Sequence, residues 1–332
     1  MTEKCLQDWV RESGELPDHR FFRTSGSSGV SKWIALSGEA LEWSARSVIK
    51  ALEITSADVL GLALPEIHVG GFGVVERARI SGANLARYSS KWHAGEFASW
   101  CALRRVTVTS LVPTQVHDLV SAECPGPKTL RVIVVGGGAF DEQLRKKALA
   151  LGWPVVPSYG MSETSSQVAT GVGLPLLPGW EARLVHGRLA LKGGGLLTAI
   201  VTEEEWGFGT HDPKVEGWFL TNDLAELTHS GLRILGRADR LVKVLGELVD
   251  LDSLETLWRD ELEVEVAVLP LPDERRGKTL HLFYEGGEKN LEAFNATFPG
   301  PEQVSDWKRL EVLPRSPLGK IDRAALAKFR VE

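Results

Sequence analysis

Along the chain, short runs rich in apolar and β-branched residues alternate with longer stretches in which apolar residues recur every three or four positions. Val59 to Leu64, Val106 to Val112 and Leu130 to Val135 are runs of the first kind, bounded by Gly, Pro or charged residues. Runs of this length fit strands buried on both faces of a sheet. Between them, Ser37 can cap a helix running through Leu41, Ala45, Val48 and Leu52. Asp141 can cap another through Leu144, Ala148 and Leu151, which Gly152 ends. A short oxygen-bearing side chain in the cap position accepts a backbone N–H that the first helical turn leaves unpaired. A further helix is predicted from Asp252, with Glu255 three residues on completing the cap. The alternation is that of an α/β protein.

Around Leu232 to Arg240 Gly-rich strands and loops give way to the charged segment GRADRLVKVLGE. One helix follows, then strands over Glu265 to Leu269 and Thr279 to Tyr284, a Pro/Gly-rich loop and a short helix. The pattern predicts a large N-terminal α/β domain over 1–236, with mixed sheets packed by helices, and a small α+β domain over 237–332. Arg237 to Arg240 would be the hinge, although a plain surface turn would leave the same trace. A length of 332 residues suits two cores at roughly 150 residues per domain.

Acidic residues number 44 against 38 Lys plus Arg, a net charge of −6, which supplies no global attraction for nucleic acid or anionic lipid. The first residues, MTEKCLQDWVRESGELP, are charged throughout, and no uncharged apolar run of about 18 residues follows. Neither a membrane nor a nucleic acid is expected as partner, and the predicted location is cytoplasmic. Cys5, Cys101 and Cys124 are too scattered for a disulfide framework and read as structural thiols in a reducing compartment. The histidines show no paired metal spacing, and no G-x-S-x-G elbow is present.

Six strings offer chemistry. In Thr24-Ser25-Gly26-Ser27-Ser28-Gly29-Val30-Ser31-Lys32, glycines let backbone N–H groups converge on an anion, while hydroxyls and a lysine supply further donors and charge. The string departs from the Walker spacing and reads as a phosphate cradle or a Ser/Gly linker. Gly136-Gly137-Gly138-Ala139 lies between a predicted strand and helix, as a close approach to a flat ligand or as a tight turn. Ser158-Tyr159-Gly160-Met161-Ser162-Glu163-Thr164 combines a ring that could stack on a base with a carboxylate that could hold a divalent metal. Gly217 to Asp223 offers one carboxylate in a turn, for ribose hydroxyls or for the turn itself. Asp239 lies in the hinge string, and Lys320 in the rigid loop PRSPLGKIDR, where most lysines would simply be solvated.

In this order, from Thr24 to Arg323, the strings TSGSSGVSK, GGGA, YGMSE, GWFLTND, GRADRLVKVLGE and PRSPLGKIDR resemble the AMP-forming acyl- and aryl-CoA synthetases of the adenylate-forming superfamily. Within it, LPEIHVGG from Leu64, Arg77, Ser110 to Gln115 and YGMSETSSQ are most similar to the o-succinylbenzoate:CoA ligase branch of menaquinone synthesis. The resemblance implies an enzyme using ATP, Mg²⁺ and CoA, with a small-molecule carboxylic acid as substrate. Thr24, Ser25, Ser27, Ser28 and Lys32, with the Gly26 and Gly29 backbone, would hold the β and γ phosphates. Glu163 would hold Mg²⁺, with Ser162 near the α-phosphate. Tyr159 and the Gly137-Gly138 backbone would flank adenine, Ser158 and Gly160 would also bind the nucleotide, and Asp223 and Arg237 would bind ribose. His68, Gly70, Gly71, Arg77 and Thr114 would line the acid pocket, with Arg77 or another arginine answering a second carboxylate.

Lys320 would bridge the attacking carboxylate and the α-phosphate, carried by a mobile lid that turns at Asp239. Asn222 and Ser31 stand where the family usually has glycine and proline. The region that precedes the phosphate loop in the family is short here, so a shortened start is expected. Transfer to a carrier protein, or nucleotide binding without turnover, remains as an alternative, and a homodimer or carrier protein is left open as partner.

Overall fold

The computed structural model describes residues 3–25, 31–204, 207–273, 276–315 and 321–329. The chain divides into two compact units, Met1–Thr221 with Glu226–Arg233 and Asn222–Ala225 with Ile234–Glu332.

The first unit opens with α1 (Glu3–Ser13), the hairpin β1 (Arg20–Ser25) and β2 (Ser31–Leu36), and α2 (Gly38–Ala51). Strands β3 (Val59–Leu62), β4 (Asn84–Arg87), β5 (Val108–Leu111), β6 (Val132–Val135), β7 (Val155–Met161) and β8 (Ser166–Thr170) then form one sheet in the order β4-β3-β5-β6-β7-β8. Each pair is parallel except β7–β8. Crossovers run through α3 (Val69–Ser81), α4 (Ala94–Leu103), α5 (Pro113–Ser121) and α6 (Glu142–Ala150). The strands are shorter than the apolar runs that predict them. The β3–β5 ladder begins only at Leu60 opposite Val108, so Val106 is buried beneath the strand end rather than paired within it. Both expected caps form: Ser37 accepts from the Ala40 N–H and Asp141 from the Leu144 N–H. Phe97, Leu111, Ile133 and Trp153 fill the layer beneath this sheet.

The rest of this unit is largely antiparallel. β11 (Ala199–Glu204) and β12 (Gly207–His211) extend the first hairpin into a four-stranded sheet, β1-β2-β11-β12. β9 (Glu181–Val185), β10 (Arg188–Lys192), β13 (Lys214–Val215), β14 (Trp218–Thr228) and β15 (Gly231–Arg237) form a five-stranded one. The α/β class with mixed sheets is the one the sequence pattern predicts.

The second unit carries the hairpin β16 (Leu241–Val244) and β17 (Glu247–Asp250), helix α7 (Leu251–Leu262), strands β18 (Val266–Asp273), β19 (Gly277–Glu285) and β20 (Val304–Leu310), and short helices α8 (Glu292–Asn295) and α9 (Arg323–Leu326). Positive φ at Leu245 (51°) and Gly246 (88°) makes a two-residue turn whose twist suits the β16–β17 strands. Trp258 of α7 packs with Phe294 and Phe298 over the β18-β19-β20 sheet. One expectation is corrected here. The cap of α7 is Asp250, which accepts from the Asp252 N–H. Asp252 and Glu255 are drawn instead into ion pairs with Arg240. A guanidinium is the stronger claimant on a carboxylate than a helix N–H.

Candidate active site

The carboxyl ends of β3, β5, β6 and β7 lead into the HVGG, PTQ, GGGA and YGMSE segments. In an open parallel sheet, ligands bind in the crevice at these ends, where the strand order reverses. Here β3 pairs with β4 on one side and β5 on the other. The reversal therefore lies between the segment of His68 and that of Thr114.

His68 is half-buried and supplies the N-cap of α3 with its backbone, making no side-chain cap bond. A Cβ on Gly71 would lie 2.2 Å from the Pro65 carbonyl oxygen, so glycine there serves the close packing of the first turn of α3 on its own loop. Gly70 meets only Leu64, at 3.7 Å. Thr114 is exposed at the start of α5.

Arg77, two turns along α3, is 4% exposed and makes no side-chain hydrogen bond or ion pair with any described residue. Its Nη1 lies 3.4 Å from where a Cβ on Gly73 would stand, and Ser166 Oγ is 3.6 Å from the same point. The guanidinium thus lies at ordinary contact distance from Gly73 on α3, with Ser166 of β8 near the same point. Burial pushes the Arg77 pKa down to about 10, still charged at neutral pH. A buried charge without a counter-ion costs several kcal/mol, roughly, and none of the described residues supplies one to Arg77.

The glycine turn is held to the sheet by the Gly136 N–H, which donates to Leu111 O at 3.2 Å. Gly137 takes a φ of +81° and, with Gly138, is exposed above Val112 and Pro113, leaving backbone open to a flat ligand. On β7, Ser158 Oγ donates to Ala169 O at 3.2 Å and shares a hydrogen bond with Thr170 Oγ1 at 2.9 Å. A register shift between Tyr159 and Gly160 lets Ser166 O pass within 1.7 Å of a would-be Gly160 Cβ. Tyr159 is half-buried at this bulge.

Ser162 and Glu163 sit in a one-turn helix, Ser162–Thr164, closed by the Met161 N–H donating to Thr164 Oγ1 at 3.1 Å. Lys32 Nζ reaches Glu163 Oε1 at 3.0 Å. Directly opposite Lys32 in the β1–β2 ladder is Thr24, and cross-strand partners share a face. The Thr24 hydroxyl is buried and has no hydrogen-bond partner among the described residues. An orphaned hydroxyl, an ammonium and a carboxylate in one corner fit phosphate oxygens escorted by a divalent cation. Gly26, Ser27, Ser28 and Gly29 lie outside the described residues, as does the Ser25 side chain.

The expected turn at Asp223 is corrected. The turn falls at Glu216 and Gly217, both at positive φ, and Asp223 lies within β14 on its buried face. Arg237 Nη1 donates to Asp223 Oδ1 at 3.2 Å, while Nε and Nη2 grip Asp239 at 2.8 and 2.7 Å. The Asp239 hydrogen bonds, foremost, raise the Arg237 pKa. Lys320 lies outside the described residues. Sequence reasoning missed Gly73 and Ser166 as the walls around Arg77, because nothing local marks a residue as the wall of another's pocket.

The fold and this constellation define an adenylate-forming protein. AMP-binding enzymes match residues 21–191, and the chain belongs to that family. It is 31% identical over 264 residues to a 2-succinylbenzoate–CoA ligase of Salmonella typhimurium, covering 76% of this chain and 55% of that one. A probable 2-succinylbenzoate–CoA ligase of Mycobacterium tuberculosis is 32% identical over 327 residues, covering 92% and 82%. The chain thus spans little more than half the length of the Salmonella relative. Among solved structures, the Bacillus subtilis o-succinylbenzoate coenzyme A synthetase with ATP and magnesium superposes with a TM-score of 0.80 at 24% identity, covering 92% of this chain and 69% of that one. The same synthetase with its acyl-adenylate gives 0.82 at 23%, covering 93% and 69%. These two likenesses establish the fold. Among the described residues no helix is long and apolar enough to cross a membrane.

Proposed function

We propose that the chain activates a carboxylic acid with ATP and passes the acyl group to CoA, and that the acid is an aryl acid bearing a second carboxylate, such as o-succinylbenzoate. The observation that carries this reading is Arg77, a charge buried between α3 and β8 with no side-chain hydrogen bond or ion pair among the described residues. A monocarboxylic acid would leave it unanswered.

A carboxylate is a poor acyl donor, so activation comes first. The carboxylate oxygen attacks the α-phosphorus, pyrophosphate leaves, and a mixed anhydride forms. Thr24 and Lys32, with Ser25, Ser27 and Ser28, hold the departing phosphates. Ser162 faces the α-phosphate, and Glu163 holds Mg²⁺, which supplies positive charge to the phosphate oxygens when bound. Tyr159, Ser158 and Gly160 with the Gly137-Gly138 backbone receive adenine. Asp223 and Arg237 receive ribose. Positioning and charge neutralisation of this kind are most of what phosphoryl chemistry asks of a protein. On the family's pattern Lys320 places its charge between carboxylate and α-phosphate. Thioester formation, in which the CoA thiolate attacks the acyl carbon and AMP leaves, needs that lysine moved away. In this reading residues 237–332 form a lid that turns at Asp239. A carrier protein's pantetheine arm would present the same thiol. The location that suits this chemistry is the cytoplasm.

ATP–pyrophosphate exchange across a panel of acids tests the proposal. Exchange should be strongest with o-succinylbenzoate and weak with benzoate, which lacks the second carboxylate. Preference for a monocarboxylic acid would overturn the substrate reading, and exchange with no acid would overturn activation itself.

A further inference from the structure

We infer that Lys214 is a positioning residue for the corner formed by Lys32 and Glu163. The inference rests on the roles just proposed for those two residues. Leu197 and Thr198, immediately before β11, are tied to both sides of that corner. The Leu197 N–H donates to the carbonyl oxygen of Glu163 itself at 2.9 Å, and the Thr198 N–H donates to Ala35 O, on the strand that carries Lys32, also at 2.9 Å. One dipeptide therefore sets the distance between the turn that presents the carboxylate and the strand that presents the ammonium.

The dipeptide is held in turn from its other side. Lys214 Nζ donates to Leu197 O at 2.6 Å and to Thr198 O at 3.2 Å, and its remaining donor meets Asp212 Oδ1 at 2.8 Å. An ammonium has three donors, and all are used. Two successive carbonyls turned to one side repel each other; a cation between them reverses that sign, and charge-assisted bonds of this length are the strong ones. Thr198 Oγ1 adds a hydrogen bond with His19 Nε2 at 2.9 Å. Lys214 touches none of the groups assigned to substrate. It acts through Leu197 and Thr198 on Glu163.

The side chain borders a cavity of about 400 Å³ also lined by Lys192, Glu181 and Gly194, so Lys214→Arg has room to restore the clamp. Lys214→Met removes it. Two measurements decide: hydrogen–deuterium exchange at the Leu197 and Thr198 amides in the protein without nucleotide, and the Mg²⁺ concentration that half-saturates ATP binding in a calorimeter. Loss of a charge-assisted clamp should raise each by about tenfold in Lys214→Met, leave the KM of the acid unchanged, and be reversed in Lys214→Arg. Unchanged exchange at those amides would overturn the inference, as would faster exchange throughout the first unit with no Mg²⁺ shift. Should Lys214→Met fail to fold, Lys214→Gln, which keeps one donor pair, is read by the same criteria. A chain that binds no ATP and activates no acid defeats the proposed function, while amide exchange still decides whether Lys214 holds the turn.

Discussion

Glu255 in the second unit and Arg77 in the first are equally removed from solvent, at 4% exposure each, yet among the described residues only Glu255 finds groups that answer its charge. Its carboxylate accepts from Arg240 Nη2 at 2.5 Å, from Arg323 Nη2 at 2.6 Å and from the Val268 N–H at 2.8 Å. Among the described residues Arg77 has no such set. A chain that folds to bury a charge must neutralise it from its own residues or leave it for a ligand. Glu255 takes the first course, joining α7, β18 and the segments on either side of them into one body. On the function proposed above, Arg77 takes the second. The difference would then separate a charge that serves the fold from one that serves a substrate, although burial alone would class them together.

Substitution should split the pair in opposite directions. The largest effect is expected at Glu255→Ala, which strands Arg240 and Arg323 beside an emptied position. Breaking a buried network by removing one member costs about 3–5 kcal/mol, to be read as a fall in unfolding free energy in denaturant. Next comes Arg77→Met. Stability should hold or rise, because an unanswered charge is replaced by an apolar stem of similar reach. The kcat/KM for a succinyl-aryl acid should meanwhile fall about 100-fold, the scale for truncating one partner of a buried charge pair. If a monocarboxylic acid lost as much, or if the variant unfolded easily, Arg77 would belong with Glu255 after all.

Asp58 lies between these cases and gives the smallest effect. Arg131 donates to both of its oxygens at 3.0 Å, and Thr107 Oγ1 and the Thr55 N–H add bonds of 2.7 and 2.9 Å. The Arg131 hydrogen bonds, foremost, hold the carboxyl down from 3.8 to about 2. Because the folded value lies below the unfolded one, the contribution is complete above pH of about 4 and is lost as pH falls through about 2, with a size of about 2 kcal/mol. Denaturant unfolding between pH 5 and 2, a window spanning both values, should show this loss, and Arg131→Met should flatten it. A curve as steep in Arg131→Met as in the parent would assign the acid sensitivity to other carboxylates.

Much of this could be read along the chain. Ser37 and Asp141 cap the helices assigned to them, because a cap engages an N–H only three residues away. The three apolar runs become β3, β5 and β6 because full burial on both faces leaves a continuous local trace. The GGGA and YGMSE strings were legible as strings because a strand ends there, at Val135 and at Met161, and small residues suit the turn that follows.

Other features were settled only by folding. Asp250 rather than Asp252 caps α7 because Arg240 claims Asp252 from outside the helix. Asp223 lies within a strand rather than a turn because its neighbours pair across a sheet. Nothing around Arg77 in the sequence says that none of the described carboxylates will reach it, and nothing around Lys214 says that two carbonyls will. Sequence determines what a residue can offer within a turn or two of itself. Which distant group meets that offer, or whether any does, is decided by packing, since hydrogen bonds and ion pairs act over a few ångströms of space however many residues of chain lie between.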